Sequence, residues 1–178
     1  MDIGVISVRY ARALLKSATE QKQDETVYQE MQLLAKSYVD VPQLRHTIDN
    51  PMLSKDKKAE LLLTAVGGQP TDLTRAFIGL VLKEDREPVM QFIANSYVTL
   101  YRQQKNIIRG RLITAAHVSP VTEQKMRKMV ESKTNGTVEF ETEVNPDIIG
   151  GFILEYDTYR LDASVKSKLN SILQTLKK

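Results

Sequence analysis

The hydrophobic period of this chain changes once, near Asn106, and that change restricts its fold more than any other feature. Before it, apolar residues recur at the helical spacing. After it, stretches alternate apolar with polar, as on a strand with one buried face. A chain of this kind is α+β overall, an N-terminal six-helix bundle over residues 1–105 followed by a small α/β domain over residues 106–178.

The helical part reads as six short amphipathic segments. The first, from about Ile3 to Gln21, sets Ile6, Tyr10, Ala13, Leu14 and Ser17 or Ala18 on one stripe. The second, from about Asp24 to Val41, shows Val27, Met31, Leu34 and Tyr38 and stops at Pro42. A short turn of helix over Gln43–Ile48 ends at Asn50-Pro51, where the residue before proline is pushed out of the helical region. Ser54 is placed to cap Lys55–Val66, with Leu61, Leu62 and Leu63 inside and Gly67-Gly68 as the stop. Thr71 or Asp72 opens a fifth helix with Leu73, Phe77, Leu80 and Val81. Pro88 opens a sixth, carrying Val89, Phe92, Ile93, Tyr97, Leu100 and Tyr101.

Beyond Asn106 the expected order is β-α-β-β-β-α. Ile107–Val118 is rich in β-branched residues, and Ser119-Pro120 starts a helix bearing Val121, Met126, Met129 and Val130. Asn135-Gly136 signals a turn, after which Val138, Phe140, Thr142 and Val144 alternate with Thr137, Glu139, Glu141 and Glu143. The glutamates are placed to meet Arg109, Arg111 or Arg160 across a solvent face. Ile148 to Asp157, nearly unbroken apolar residues around Gly150-Gly151, reads as a central strand buried on both faces. Thr158 to Asp162 reads as its hairpin partner with one wet face, and a last helix aligns Val165, Leu169, Ile172, Leu173 and Leu176.

Composition excludes several function classes. There is no cysteine, hence no disulfide, thiolate zinc site or thiol catalysis. His46 and His117 lie far apart, and neither has a second ligand at helical spacing, so no metal or cofactor is expected. The glycine pairs fit neither a dinucleotide fingerprint nor a phosphate loop, and no nucleophile–base pair emerges. The N-terminus lacks the apolar core of a signal peptide, and no run approaches the ~20 residues of a membrane span. The expected protein is therefore soluble, meeting a membrane only through a partner. The net charge of +3 is spread along the chain, so nucleic acid is a weak expectation. Asp56-Lys57-Lys58 and Lys83-Glu84-Asp85-Arg86 read as solvated faces, although Arg86 is placed to bridge the fifth and sixth helices. Lys125, Arg127 and Lys128 share a helix but lack an aromatic stacking platform.

The first helix stands apart, because Tyr10, Ala13, Ser17 and Ala18 occupy positions where a core helix would carry Leu or Ile. Small residues leave either a groove that admits a partner's amphipathic helix or close packing within one bundle. Both readings remain open on these residues alone.

Arg9-Tyr10-Ala11-Arg12-Ala13-Leu14, taken with the closing segment, resembles the ATP synthase delta subunit family, which includes the mitochondrial oligomycin sensitivity conferral protein. Asn50-Pro51, Ser54, the Lys58 to Leu62 stretch and Arg86 agree with it. So do Ile148-x-Gly150-Gly151-Phe152-x-Leu154-Glu155 and Asp162-Ala163-Ser164-Val165 near the end. Asp157-Thr158 departs from the family's usual turn. The resemblance implies a non-catalytic stator subunit that couples proton-driven rotation to ATP synthesis. Its place would be peripheral, on the cytoplasmic side of the bacterial plasma (inner) membrane. The helical part would cap the α3β3 head and hold the N-terminal helix of an α subunit between its first and fifth helices. Carried onto this sequence, that groove would be lined by Tyr10, Ala13, Leu14 and Ser17 and by Phe77, Leu80 and Val81. The C-terminal part would meet the C-terminal ends of the b subunits through Gly150, Gly151, Leu169, Leu173 and Leu176. The alternative, a small basic nucleic-acid-binding protein, rests on a pI near 9.0 and the Arg109/Arg111 and Lys125–Lys128 clusters.

Overall fold

A computed structural model describes residues 3–134, 136–156 and 158–176. The architecture is mixed α/β, with eight α-helices and a four-stranded sheet among the described residues. The chain divides into two compact units, Met1–Gln103 and Gln104–Lys178.

The first unit holds α1 (Ile3–Glu20), α2 (Asp24–Asp40), α3 (Pro42–Ile48), α4 (Lys55–Ala65), α5 (Asp72–Lys83), a 3-10 turn (Glu87–Val89) and all but the last two residues of α6 (Met90–Lys105). Its core collects Ala11, Leu14, Leu15 and Ala18 of α1, Val27, Met31 and Leu34 of α2, Ile78 and Val81 of α5, and Ile93 and Tyr97 of α6. Each large aliphatic side chain among them contributes about 1.5–3 kcal/mol when removed from water. The α2 stripe is buried as its periodicity predicts. The α1 stripe is rotated by about one residue: Ser7, Ala11, Leu14, Leu15 and Ala18 face inward. Ile6, Tyr10 and Ser17 are left half-buried, and Ala13 is exposed. Of Leu61, Leu62 and Leu63 in α4 only Leu62 is fully inside, with Leu61 at 38% exposure, since consecutive residues turn 100° around a helix. The α4 end does match expectation: Gly67 and Gly68 have φ of +114° and +82°, and the Gly68 N–H donates to the Leu63 carbonyl at 2.9 Å. Ser54 sits at the α4 N-cap without a side-chain cap bond, whereas the Thr71 hydroxyl accepts from the Thr74 N–H at 3.2 Å.

Two charged groups lie inside this unit. Lys58 is 4% exposed, and its Nζ meets Glu87 Oε1 at 2.7 Å, tying α4 to the turn before α6. The solvated reading of Asp56-Lys57-Lys58 therefore fails at Lys58, whose helical phase turns it inward beside Leu62. Glu30 of α2 accepts from the Thr71 N–H at 2.6 Å and the Thr71 hydroxyl at 3.0 Å, and from the Thr74 hydroxyl as well. These bonds satisfy a buried carboxylate and fix where α5 begins. Arg86 is half-buried, and its N–H donates to the Val81 carbonyl at 2.9 Å, closing α5.

The second unit holds β1 (Ile107–Thr114), α7 (Pro120–Thr134), β2 (Thr137–Val144), a 3-10 turn (Pro146–Ile148), β3 (Phe152–Tyr156), β4 (Tyr159–Asp162) and α8 (Val165–Leu176). The strand order is β2-β1-β3-β4. β1 and β2 are parallel, with Leu112 opposite Thr142, and need a long crossover, which α7 supplies. β3 is antiparallel to β1, with Leu112 opposite Leu154, and β4 to β3, with Leu154 opposite Leu161. Successive strand residues face opposite ways. Leu154 accordingly packs with Leu112, Val138 and the α7 residue Val130, and Ile153 packs with Ile113 and Ile148. On α7, Val121 and Met129 lie outside that core, at 63% and 39% exposure.

Two expectations are corrected here. The glycine pair is not inside a strand: Ile148 ends a 3-10 turn, Ile149 and Gly151 have φ of +68° and +74°, and β3 starts only at Phe152. Positive φ is incompatible with extended pairing, so the apolar run is a tight bend followed by a strand. β4 has no buried face, because every residue of it is exposed. The glutamate–arginine ladder forms among the expected residues, Arg109 with Glu141 and Arg111 with Glu143, while Arg160 meets Glu155 of β3 at 3.5 Å. Asn135 and Asp157, on which two of the turn readings depend, lie outside the described residues.

Candidate partner-docking surfaces

With α5 anchored through Thr71 and Glu30, its helical phase presents Leu73, Ala76, Phe77, Leu80 and Glu84 toward α1. From α1 come Arg9, Tyr10, Ala13, Leu14 and Ser17. Together these residues line one open groove of about 540 Å³. Tyr10 and Phe77 meet edge to face across it, with ring centroids 6.3 Å apart and planes at 68°. Leu14 is 2% exposed and Phe77 7%, so they form its floor, whereas Leu80 is 48% exposed on its rim. The surface is apolar and concave, with one cation and one carboxylate at its margins, the form that seats an amphipathic helix.

Six of the seven residues expected to line a groove on α1 and α5 do so. Val81 does not: it is 0% exposed and points into the core, one helical step round from Leu80. Arg9, Leu73, Ala76 and Glu84 were missed, although 73, 76, 77, 80 and 84 follow the i, i+3, i+4 pattern of one helix face.

The second surface is α8. Its apolar stripe of Val165, Leu169, Ile172, Leu173 and Leu176 is 37–77% exposed, and no described residue of the helix is buried. An apolar stripe at helical spacing left in water has the form of a docking face. The start of α8 is tightly held. Asp162 Oδ1 accepts from the Ser164 N–H at 2.9 Å and Oδ2 from the Ser167 hydroxyl at 2.8 Å, while the Ser164 hydroxyl accepts from the Ser167 N–H at 3.2 Å. Hydrogen bonds from Ser164 and Ser167 pull the Asp162 carboxyl down to about 2. Gly150 and Gly151 belong to the same joint: the Val165 N–H donates to the Gly150 carbonyl at 2.9 Å, and a β-carbon on Gly150 would lie 3.1 Å from Val165 Cγ2. The glycines thus position α8, and the leucines carry the exposed surface.

The described residues hold no group of three or more His, Cys, Asp or Glu side chains able to bind a metal ion. Among the described residues, no helix is long and apolar enough to cross a membrane. Of the basic residues considered for nucleic acid, Arg109 and Arg111 are paired with glutamates on β2, and Arg127 meets Glu123 at 3.1 Å.

Comparison with known proteins covers nearly the whole chain. The sequence model of the ATP synthase delta (OSCP) subunit matches residues 6–176. An ATP synthase subunit delta of Phocaeicola vulgatus is 45% identical over 175 residues, covering 98% of this chain and 95% of the relative. That of Parabacteroides distasonis is 41% identical over 172 residues, covering 97% and 96%. Among solved structures, a chain of the Toxoplasma gondii mitochondrial ATP synthase hexamer superposes with a TM-score of 0.64 at 23% identity, covering 97% of both chains, which is a likeness of fold.

Proposed function

The chain belongs to the ATP synthase delta (OSCP) subunit family, and from that premise we propose that it is a stator part of the rotary F-type ATP synthase. The helical unit, read as a six-helix bundle over residues 1–105, caps the α3β3 head. Its α1–α5 groove, around Tyr10, Ala13, Leu14, Ser17, Phe77 and Leu80, seats the amphipathic N-terminal helix of one α subunit. The α/β unit over residues 106–178 meets the C-terminal ends of the b subunits through Leu169, Leu173 and Leu176, with Gly150 and Gly151 aiming the helix. The protein would lie on the cytoplasmic side of the bacterial inner membrane, held there by its complex.

The observation that carries this reading is the apolar groove between α1 and α5. A tie that resists torque needs slow dissociation and stiffness rather than a reactive group. Desolvated apolar docking supplies the first, since affinity differences reside mostly in off-rates. Two units that hold different partners gain further from effective concentration. Pairing of the sheet arginines with glutamates favours this reading over nucleic-acid binding.

Isothermal titration with the α-subunit N-terminal peptide tests the groove: Tyr10→Asp and Leu80→Asp should weaken binding while circular dichroism stays native. Unchanged affinity in both would remove the assignment. Deleting residues 164–178 should uncouple proton flow from ATP synthesis in membrane vesicles while the detached head still hydrolyses ATP.

A further inference from the structure

β2 is one edge of the sheet, and its hydrogen bonds show which of its backbone groups are left open. In a parallel pair, alternate residues of a strand turn both N–H and C=O toward the partner, and the residues between them turn both away. The Asn145 N–H donates to the Thr114 carbonyl of β1 at 2.8 Å, while Val144 lies opposite Thr114. The residues facing β1 are therefore Glu139, Glu141 and Glu143, and Val138, Phe140, Thr142 and Val144 face outward. The Val138 N–H agrees: it donates to Glu131 Oε1 of α7 at 3.2 Å rather than to the sheet. α7 thus closes one end of this edge. From Phe140 to Val144 no described strand pairs with the outward groups, and Thr142 and Val144 are exposed.

We propose that the open stretch of β2 is a docking edge, and that its occupant is an extended segment of another protein in which basic and apolar residues alternate. A row of free N–H and C=O groups at the strand repeat is matched only by another strand; neither a helix side nor a lipid surface offers such a row. Side chains then select the sequence. Glu139, Glu141 and Glu143 stand on one face of β2, and Phe140, Thr142 and Val144 on the other. Arg109 and Arg111, on the inner strand β1, bind Glu141 and Glu143 through Oε2. Oε1 of each makes no ion pair among the described residues, and a lysine or arginine on the incoming strand meets it from the outer side. Its apolar residues extend the layer of Phe140 and Val144. A second copy of this chain is a poor occupant, because pairing β2 with β2 sets glutamates against glutamates, and like charges directly opposite destabilise. The other edge, β4, spans four residues and carries Arg160 and Asp162, of opposite sign. The site shares no residue with the α1–α5 groove or α8, and it does not rest on what fills them.

The test uses the full-length protein and two synthetic peptides of eight residues, the length of β2. One alternates valine with lysine and the other valine with glutamate. Before peptide is added, amide exchange followed by NMR should alternate along the strand, fast at Phe140, Thr142 and Val144 and slow at Glu141 and Glu143. The valine–lysine peptide should slow those three amides and leave Arg160 and Asp162 on the far edge unchanged. The valine–glutamate peptide should bind at least about tenfold more weakly. Thr142→Pro removes one outward N–H and none that pairs with β1, a change that an edge strand tolerates. It should melt close to the parent and weaken binding of the valine–lysine peptide about tenfold, the loss expected for one unmade bond with steric obstruction added. Equal binding of both peptides, or no added protection at the three outward amides, would overturn the proposal. Undiminished binding to Thr142→Pro would mean attraction to the glutamates alone and would overturn it as well. Should that variant melt early, the exchange pattern of the parent protein decides the matter. Self-association that protects the same amides without peptide would assign the edge to a second copy instead.

Discussion

Gly151 lies so close to Ala163 that a β-carbon on it would collide with the Ala163 carbonyl oxygen, and its φ is +74°. Two independent restraints, backbone conformation and close approach, therefore demand glycine where β3 begins beside the start of α8. Gly151→Ala should destabilise the C-terminal unit by at least about 1–3 kcal/mol from the backbone conformation alone, with the collision in addition. Urea unfolding followed by circular dichroism measures it. Gly68→Ala is the control: its φ is +82° but a β-carbon there would meet nothing within 4 Å, so only the conformational part should appear.

The buried pair of Lys58 and Glu87 makes a separable prediction. Their side chains are 5% and 11% exposed, so either charge left alone would be stranded in the core. Lys58→Met should cost about 3–5 kcal/mol, and the double variant Lys58→Met/Glu87→Leu should recover most of it. Thermal denaturation of the three proteins decides the point. Equal stability of the single and double variants would mean that the pair is not the cause.

Asp162 gives a pH dependence. Its folded-state pKa is lowered from 3.8 to about 2 by bonds from Ser164 and Ser167. A lowered carboxylate stabilises the fold above its unfolded pKa, and that contribution is lost as pH falls from 3.8 toward 2. The protection of amides in the first turn of α8, relative to their intrinsic exchange rate at each pH, should therefore fall across that window. In Asp162→Asn that protection should be lower already at neutral pH and nearly independent of pH in acid.

The groove separates neighbouring residues sharply. Leu80 is 48% exposed on its rim, and Val81 is 0% exposed beneath. Leu80→Asp should leave the melting temperature close to the parent value and weaken peptide binding by about 2 kcal/mol, the scale of an interface hot spot. Val81→Asp should unfold the helical unit, because it buries an unpaired charge.

Much of this architecture can be read from periodicity. Val27, Met31, Leu34 and Tyr38 repeat at helical spacing and are all buried, and Val138 to Val144 is a strand as its alternation requires. What fails is whatever a hydropathy pattern does not encode. Ile149 and Gly151 look like strand residues until their positive φ is seen, since a bend and a strand can be equally apolar. Lys58 looks like surface charge because its partner Glu87 lies 29 residues away, a long-range pairing invisible to local pattern. Val81 continues the apolar stripe of Phe77 and Leu80 yet is 0% exposed, because the width of a stripe does not show where core ends and rim begins. Tyr159 and Leu161 alternate as a half-buried strand should, yet they are 65% and 47% exposed, because β4 is the sheet edge and no described residue of its own unit covers it.

The leucines of α8 make the last prediction, and its sign is unusual for apolar residues. Leu173 is 53% exposed and Leu176 77%, so removing either takes little from the folded chain's own core. Leu173→Ser and Leu176→Ser should each shift stability by less than about 0.5 kcal/mol, as surface substitutions do. A core leucine such as Leu34, 0% exposed, should cost about 2–5 kcal/mol when truncated to alanine. If α8 is the docking face for the b subunits, the same two serine variants should lose retention on an immobilised C-terminal b fragment while melting like the parent. Matched losses of stability and retention would place the leucines in this chain's own core, and unchanged retention would move the stalk contact to another surface.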